Sequence, residues 1–324
     1  MRYAIIDIGS NTVKMNLYDA DGIQKPEMIL GETQTVGLIS YTQHRQLSEN
    51  GIAALIESLH YYTDLAAKLH ADQVRCFATA SLRAVENRDE VVMRVLNQTG
   101  VQIDVISGEN EALLSFRGLK FGLGDALRSG VMIDMGGGST ELLGFVDGLA
   151  VRAVSIDFGC LSLYKKFVSG LLPSKKEIDK IKKYVDERLT SADWLPCWSS
   201  TVYIVGGTVR SLGRLHSEHY RQPYTKYGYT MPADDVKEVV ARFRLPEREE
   251  LNLMIRNMPD RLHTIIPGLV AYRRIINAIG GSEVVVSETG IREGYLMQLL
   301  QNLPDGSDEA REGFVISSQT GGEL

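Results

Sequence analysis

The chain predicts an α/β fold of two domains with a cleft between them that holds the active site. Three observations carry that expectation. A length of 324 residues suits two domains of ordinary size. Short apolar runs alternate with amphipathic helical patterns from the first residues to about Leu303. Finally, a unit of strand, aspartate, glycine, hydroxyl residues and strand occurs twice.

The second copy of that unit, Val131 to Phe145, is the better defined. Val131 to Ile133 reads as a buried strand ending in Asp134, and Gly136, Gly137 and Gly138 follow within four residues. Without Cβ atoms these glycines can take positive φ and turn successive N–H groups inward, a concave nest for phosphate oxygens. Ser139 and Thr140 add hydroxyl donors, and Asp134 stands where a hard divalent cation such as Mg²⁺ is held. A lone glycine triplet is equally an ordinary hairpin turn. The N-terminus repeats the pattern, with Ala4 to Ile6, then Asp7, Gly9, Ser10, Asn11 and Thr12, then Val13 to Met15. Packing alone gives no reason for the duplication, whereas two phosphate-gripping hairpins facing one cleft do.

Composition narrows the partners. Hydrophobic residues at 44% and charged residues at 23% are globular values. A net charge of -6 and a pI near 5.6 argue against a general nucleic-acid or membrane binder, so an anionic substrate must meet a local basic patch. A strand motif two residues after Met1 leaves no room for a secretory leader, and no apolar run reaches the ~18 residues of a membrane span. Cys76, Cys160 and Cys197 form no CxxC, so neither a disulfide framework nor a zinc site is indicated, and the cytoplasm is the expected location.

After the first hairpin, Ser48 begins a helix whose Ile52, Leu55, Ile56, Leu59, Tyr62, Ala66 and Leu69 recur at helical spacing. Val74 to Ala78 is a strand that runs into Thr79, Ala80, Ser81, Leu82 and Arg83, a helix mouth suited to an anion or to simple capping. Val101 to Ile106 is a further strand, followed by a helix with Glu109 and Glu111 in its first turn. Such glutamates favour the helix dipole, and spacing assigns neither to catalysis. Gly118 to Gly130 is glycine-spaced and is the expected crossing between domains. Asp157 to Leu161 opens a helix, and Ser174 with Glu177 forms a capping box before Ile178, Ile181 and Val185. Lysines 165, 166, 175, 176, 180, 182 and 183 form a solvated face or a polyanion path.

Tyr203 to Val205 is a strand ending in Gly206, Gly207 and Thr208, a corner where a nucleotide or phosphate chain can approach the backbone. His216 and His219, spaced H-x-x-H, lack the further ligands of a metal site. Asp234 to Phe243 and Arg261 to Ile279 read as amphipathic helices, Glu283 to Ser287 as a strand, and Gly290 to Leu296 as the start of a closing helix. The expected domains are 1–122 and 123–297, with a closing helix about 298–303 returning to the first domain and a loose tail at 304–324.

Taken in order and spacing, these pieces resemble the exopolyphosphatase and guanosine pentaphosphate phosphohydrolase family, within the actin, heat-shock-chaperone and sugar-kinase superfamily. The pieces are Asp7 to Asn11, Ala78 to Arg83, Ile106 to Gly108 with Glu111 and Ala112, and Asp134 to Glu141. Further matches are Phe158 and Gly159 with Leu161, Gly206 to Thr208, Arg261, Ser287 with Glu288, and Gly290 to Gly294. The resemblance implies two ribonuclease-H-like domains, Mg²⁺ with Mn²⁺ as a substitute, and removal of a terminal phosphate from inorganic polyphosphate or pppGpp. It implies Glu111 as the catalytic carboxylate, Glu141 and Asp134 as acidic residues around metal and water, and Asp7 as the partner of Asp134. Gly9 to Thr12, Gly136 to Thr140, Gly206 to Thr208 and Arg83 are the expected phosphate contacts, with Arg88, Arg210 and Arg292 as weaker candidates. Many relatives continue into an extra helical region, so a short two-domain form acting on short chains is expected, with no nucleic-acid or membrane partner and a homodimer as the prior assembly. An ATP-dependent kinase and a nucleotide-gated binding protein are the competing readings, because the fold does not decide the acceptor. Neither a GxxxxGK[ST] loop nor a GxGxxG fingerprint occurs.

Overall fold

The computed structural model describes residues 1–20, 25–195, 200–225 and 227–301. Cys197 and the expected tail at 304–324 lie outside the described residues. The first half contains strands β1 (Arg2–Ile8), β2 (Thr12–Asp19), β3 (Glu27–Thr35), β4 (Thr42–Gln43) and β5 (Gln46–Leu47), helix α1 (Glu49–Lys68), strand β6 (Gln73–Ala78), helices α2 (Ala80–Arg83) and α3 (Arg88–Thr99), and strand β7 (Ile103–Val105). Helix α4 (Gly108–Leu123) leads to the second half, with β8 (Gly130–Met135), β9 (Thr140–Val146), β10 (Leu149–Ile156), α5 (Cys160–Phe167), α6 (Lys175–Leu189), β11 (Thr201–Val205) and α7 (Gly207–Tyr220). Strand β12 (Tyr227–Pro232), α8 (Ala233–Phe243), α9 (Arg248–Asn257), α10 (Ile265–Ile279), β13 (Glu283–Ser287) and α11 (Ile291–Leu300) complete it.

The duplication seen in the sequence is a duplication of sheets. A five-stranded sheet runs β3-β2-β1-β6-β7 and a six-stranded sheet runs β10-β9-β8-β11-β13-β12. Both begin as an antiparallel meander and continue in parallel through helical crossovers, β6 pairing with β1 as β11 pairs with β8. The apolar runs Ala4 to Ile6 and Val131 to Ile133 are fully buried, as expected of central strands covered on both faces. Strand β12 is an added antiparallel edge, and its Pro232 sits at the strand end, where no ladder donor is needed.

Helix α1 follows its sequence pattern closely. The Ser48 hydroxyl accepts from Gly51 N at 3.3 Å, and Ile52, Leu55, Ile56, Leu59, Tyr62 and Ala66 are buried against the first sheet. Tyr62 donates to the Val13 carbonyl at 2.8 Å and pins the helix to β2. In the second half, the face of α6 bearing Ile178, Ile181 and Val185 packs in the large core with α10. Its Lys175, Lys176, Lys180 and Lys183 are exposed, so the lysine run is a solvated face. The helix expected over Arg261 to Ile279 begins only at Ile265, after a single tight turn at Pro259–Arg261.

The largest departure from expectation concerns Gly118 to Gly130. It makes the crossing as a helix as far as Leu123, with Gly118, Gly122 and Gly130 closely packed and Gly124, at φ +51, open. Helices α4 and α11 cross between the two sheets: Ala112, Phe116 and Leu119 pack on Met132, Leu143, Phe145 and Tyr203 of the second sheet, while Leu114, Tyr295 and Leu296 pack on Ile5, Tyr18 and Phe77 of the first. A Cβ at Gly118 would overlap the Gly290 carbonyl, one at Gly122 would overlap the Thr289 hydroxyl, and one at Gly294 would overlap the Leu114 carbonyl. The closing helix runs Ile291–Leu300, starting where Gly290 to Leu296 was read as its start and so before the 298–303 stretch expected to return to the first domain, and its first turns touch α4. Because the obstructing atoms are backbone, Gly294→Ala is expected to lower the unfolding free energy by about 1–3 kcal/mol or more, measured by urea denaturation.

Candidate active site

The two hairpins meet the same cavity, of about 600 Å³, with Asp7, Gly9 to Thr12, Asp134, Gly136 to Ser139, Gly206 and Gly207 in its walls. Their turns are closed by the same bond: Gly9 N donates to Thr12 O, and Gly136 N donates to Ser139 O, each at 3.0 Å. Two further carbonyls of each turn are tied down from behind. Ser10 O accepts from Ile39 N at 2.9 Å and Asn11 O from Gly37 N at 2.8 Å. In the second turn Gly136 O accepts from Cys160 N at 3.1 Å, and Gly137 O accepts from Leu161 N at 3.1 Å and Ser162 N at 2.9 Å. With those carbonyls held by the start of α5, no described backbone acceptor takes the N–H of Gly137 or Gly138. The turn is thus rich in donors, but not by the positive φ expected of the triplet: none of Gly136, Gly137 and Gly138 adopts it, so the N–H groups are freed by the backbone pairing behind them.

Glu111 lies in the first turn of α4, 7% exposed, and lines the same cavity. Its Oε2 accepts from Arg83 Nη1 at 2.6 Å, and that nitrogen also donates to the Ile106 carbonyl at 3.1 Å. Burial pushes the Glu111 carboxyl up to about 7, against the pull of Arg83, with Asp134 and Asp7 adding to the rise. Behind it, Glu141 is completely buried. Its Oε1 accepts from Ser155 at 2.8 Å and lies 3.7 Å from Arg83 Nη2, and its Oε2 has no partner among the described residues. Burial, then Glu111 and Asp134, push Glu141 well above the carboxylate range.

Four cations face these carboxylates: Lys14, Arg210, Arg261 and Arg292. Arg292 Nη1 pairs with Asp7 Oδ2 at 3.0 Å. Lys14 faces Asp7 across β1 and β2. Burial, with Arg292 beside it, pulls its ammonium down to about 7. Burial and the neighbouring Arg292 and Arg261 lower Arg210 as well. Arg210 and Arg261 form no ion pair among the described residues, so their charges are presented to whatever anion enters.

The hairpin carboxylates suit a divalent cation bound mostly through water and substrate oxygens. Asp7 and Asp134 offer hard oxygen ligands from opposite hairpins, and Gly206, with φ +105, keeps clear the space beside Asp134 Oδ1, where a Cβ would stand at 3.2 Å. No group of three or more acidic, cysteine or histidine residues forms a closed metal cage among the described residues. That donor set fits Mg²⁺, which keeps several waters, better than Ca²⁺ or Zn²⁺.

Several expected contacts fall elsewhere. Arg83 does not line the cavity here: its guanidinium is paired with Glu111 and the Ile106 carbonyl, so in this structure it positions a carboxylate. Thr140 donates to Phe158 O at 2.6 Å inside the core, and Thr208 is buried beneath the start of α7. Glu141 stands behind Glu111 and outside the cavity wall. Arg88 is on the surface, paired with its neighbour Asp89 at 2.9 Å. The histidines have separate partners: buried His216 meets Tyr229 at 2.8 Å and Asp235 at 3.0 Å, while His219 meets Arg242 at 2.6 Å. The Gly206–Gly207 corner faces the cavity, but the Arg261 guanidinium lies against Gly207 where a Cβ would project.

Lys14 and Ser115 are the residues the sequence reading missed. Lys14 faces Asp7 in the first hairpin as Glu141 faces Asp134 in the second, so the duplicated motif itself marks the position. Ser115 follows Glu111 by one helical turn and donates to Asp134 Oδ2, which helical spacing could have revealed.

Comparisons with known proteins bear on the family and the fold. The chain is 28% identical over 319 residues to exopolyphosphatase 2 of Mycobacterium tuberculosis, covering 92% of this chain and 98% of that protein. It is 25% identical over 325 residues to exopolyphosphatase 1 of the same organism, covering 98% and 94%. Among solved structures, an exopolyphosphatase from Cytophaga hutchinsonii superposes with a TM-score of 0.83 at 19% identity, over 95% of this chain and all (100%) of that one. The Aquifex aeolicus member of the Ppx/GppA family superposes with a TM-score of 0.77 at 24% identity, over 94% and 99%. These likenesses show the fold to be the two-domain, actin-like α/β arrangement expected from the sequence. The model of the Ppx/GppA phosphatase family matches residues 18–303, and the chain belongs to that family.

Proposed function

We propose that the protein is a phosphohydrolase that removes the terminal phosphate of inorganic polyphosphate, short chains included, or of pppGpp, by in-line attack of water. The observation that carries this reading is the pair of equivalently closed glycine turns opening on one cavity with a buried glutamate. The exopolyphosphatases it resembles along nearly its whole length support the substrate class.

The chemistry follows from what phosphoanhydride cleavage needs. The leaving group is a stable polyphosphate anion, so catalysis lies in positioning and charge neutralisation, with no demand for a strong acid. N–H groups of the two turns and the hydroxyls of Ser10, Thr12 and Ser139 hold the terminal phosphoryl oxygens. Arg210, Arg261 and Arg292 take the charge of the following phosphates. Glu111, oriented by Arg83, accepts the proton of the attacking water. Mg²⁺ or Mn²⁺, held by Asp7 and Asp134, supplies further neutralisation of phosphoryl charge when bound.

Phosphate release tests the assignment directly, with short-chain and long-chain polyphosphate, pppGpp and ATP each supplied with Mg²⁺ and no acceptor. Steady release from polyphosphate or pppGpp with ATP poor is the expected result. Consumption of ATP alone, or only when a hydroxyl acceptor is added, would favour the kinase reading. Arg210→Ala is expected to raise KM about tenfold or more and to flatten its dependence on salt, because a charge-assisted contact to the chain is lost. A homodimer in the cytoplasm is part of the proposal, and sedimentation of the purified chain checks the assembly. Among the described residues no helix is long and apolar enough to cross a membrane.

A further inference from the structure

Each hairpin aspartate has one oxygen held by a side chain from the crossing helix pair. Ser115 of α4 donates its hydroxyl to Asp134 Oδ2, and Arg292 of α11 donates to Asp7 Oδ2 at 3.0 Å. The arrangement is crosswise. Helix α4 follows the first sheet yet holds the aspartate of the second, and α11 follows the second sheet yet holds the aspartate of the first.

Both holding groups are themselves fixed. Ser115 is 0% exposed and shares a helical face with Glu111. Next to Arg292, Glu293 accepts from Tyr18 at 2.5 Å, and the Tyr18 oxygen accepts from the Asn16 amide at 2.8 Å. Glu293 in turn accepts from Gly290 N at 2.8 Å, which locks the first turn of α11. The helices meet at Gly118, Gly290 and Gly294, where a Cβ at Gly118 or Gly294 would overlap backbone, so neither can slide without the other.

From this juxtaposition we infer that Ser115 is a positioning residue for metal binding: it ties Asp134 Oδ2 and leaves Oδ1 aimed into the cavity beside Gly206, as Arg292 does for Asp7. The α4–α11 crossing therefore sets the separation of the two ligand oxygens, and Glu111 rides on the same helix. The inference rests on the proposed cation site at Asp7 and Asp134. Groups that orient a ligand from behind commonly govern affinity by 10–100-fold, although they never touch the ion.

Mn²⁺ binding by the full-length chain, followed by electron paramagnetic resonance without substrate, tests it. Wild type is expected to hold Mn²⁺ at a site that Asp134→Asn removes. Ser115→Ala should weaken that site about tenfold or more, with thermal unfolding little changed, since a buried serine becomes an alanine of nearly the same volume. Asp134-dependent binding that Ser115→Ala leaves at its wild-type strength would overturn the inference alone. Absence of any Asp134-dependent Mn²⁺ site would overturn the cation assignment, and the inference with it.

Discussion

Glu111→Gln is expected to lower kcat by about 10²–10⁴-fold while polyphosphate still binds, the span typical of a lost general base. The amide keeps the shape of the side chain, and its oxygen can still accept from Arg83, so the cavity wall is preserved. What disappears is the ability to take a proton from water. The pH profile provides an independent signature. Burial raises the Glu111 carboxyl to about 7, so below that pH it is protonated and cannot act as a base. Wild-type kcat/KM should therefore fall about tenfold per pH unit below about 7 and level off above it, whereas the residual activity of the variant should lack that limb. Equal losses of rate and binding, or an unchanged acid limb in Glu111→Gln, would remove Glu111 from this role.

Lys14→Met carries the second large effect. Lys14 lies in the cavity wall opposite Asp7, and an ammonium contact to a phosphoryl oxygen in a site largely cleared of water strengthens as charge develops. Loss of one such donor typically costs about 10²–10³-fold in kcat. Methionine fills nearly the same volume without charge. Folding should not suffer, because burial already disfavours the ammonium and pulls it down to about 7. Steady-state kinetics and thermal unfolding on the same preparation separate the two effects. A variant with wild-type turnover would show Lys14 to be a structural partner of Asp7 only.

What could be read from the sequence depended on how local the signal was. The turns at Gly9 and Gly136 were legible as turns because glycine follows a strand-end aspartate within a few residues, although the positive φ expected of the triplet is not adopted. The partner of Arg83 was illegible for the opposite reason. A helix mouth with an arginine looks like an anion site, and the carboxylate that claims the guanidinium lies 28 residues away. Gly118 to Gly130 was legible as a crossing between the halves but not as a helix, because glycine spacing is common to loops and to close helix crossings, and only the position of α11 separates the two. Strand β12 and helix α9 left no distinct pattern: β12 is an edge strand of six residues, and α9 buries Met254 alone. Lys14 was hidden by its identity. Its counterpart in the second hairpin is the acidic Glu141, so the repeat is one of position and not of residue.

The account turns on water attacking the terminal phosphorus of a chain seated in both hairpins. Hydrolysis of polyphosphate by the wild-type protein in ¹⁸O-labelled water, with mass spectrometry of the products after one turnover, tests that most directly. The expected result is one ¹⁸O in each released orthophosphate and none in the shortened chain. Label in the remaining chain, or phosphate transfer that requires a hydroxyl acceptor and leaves orthophosphate unlabelled, would contradict it.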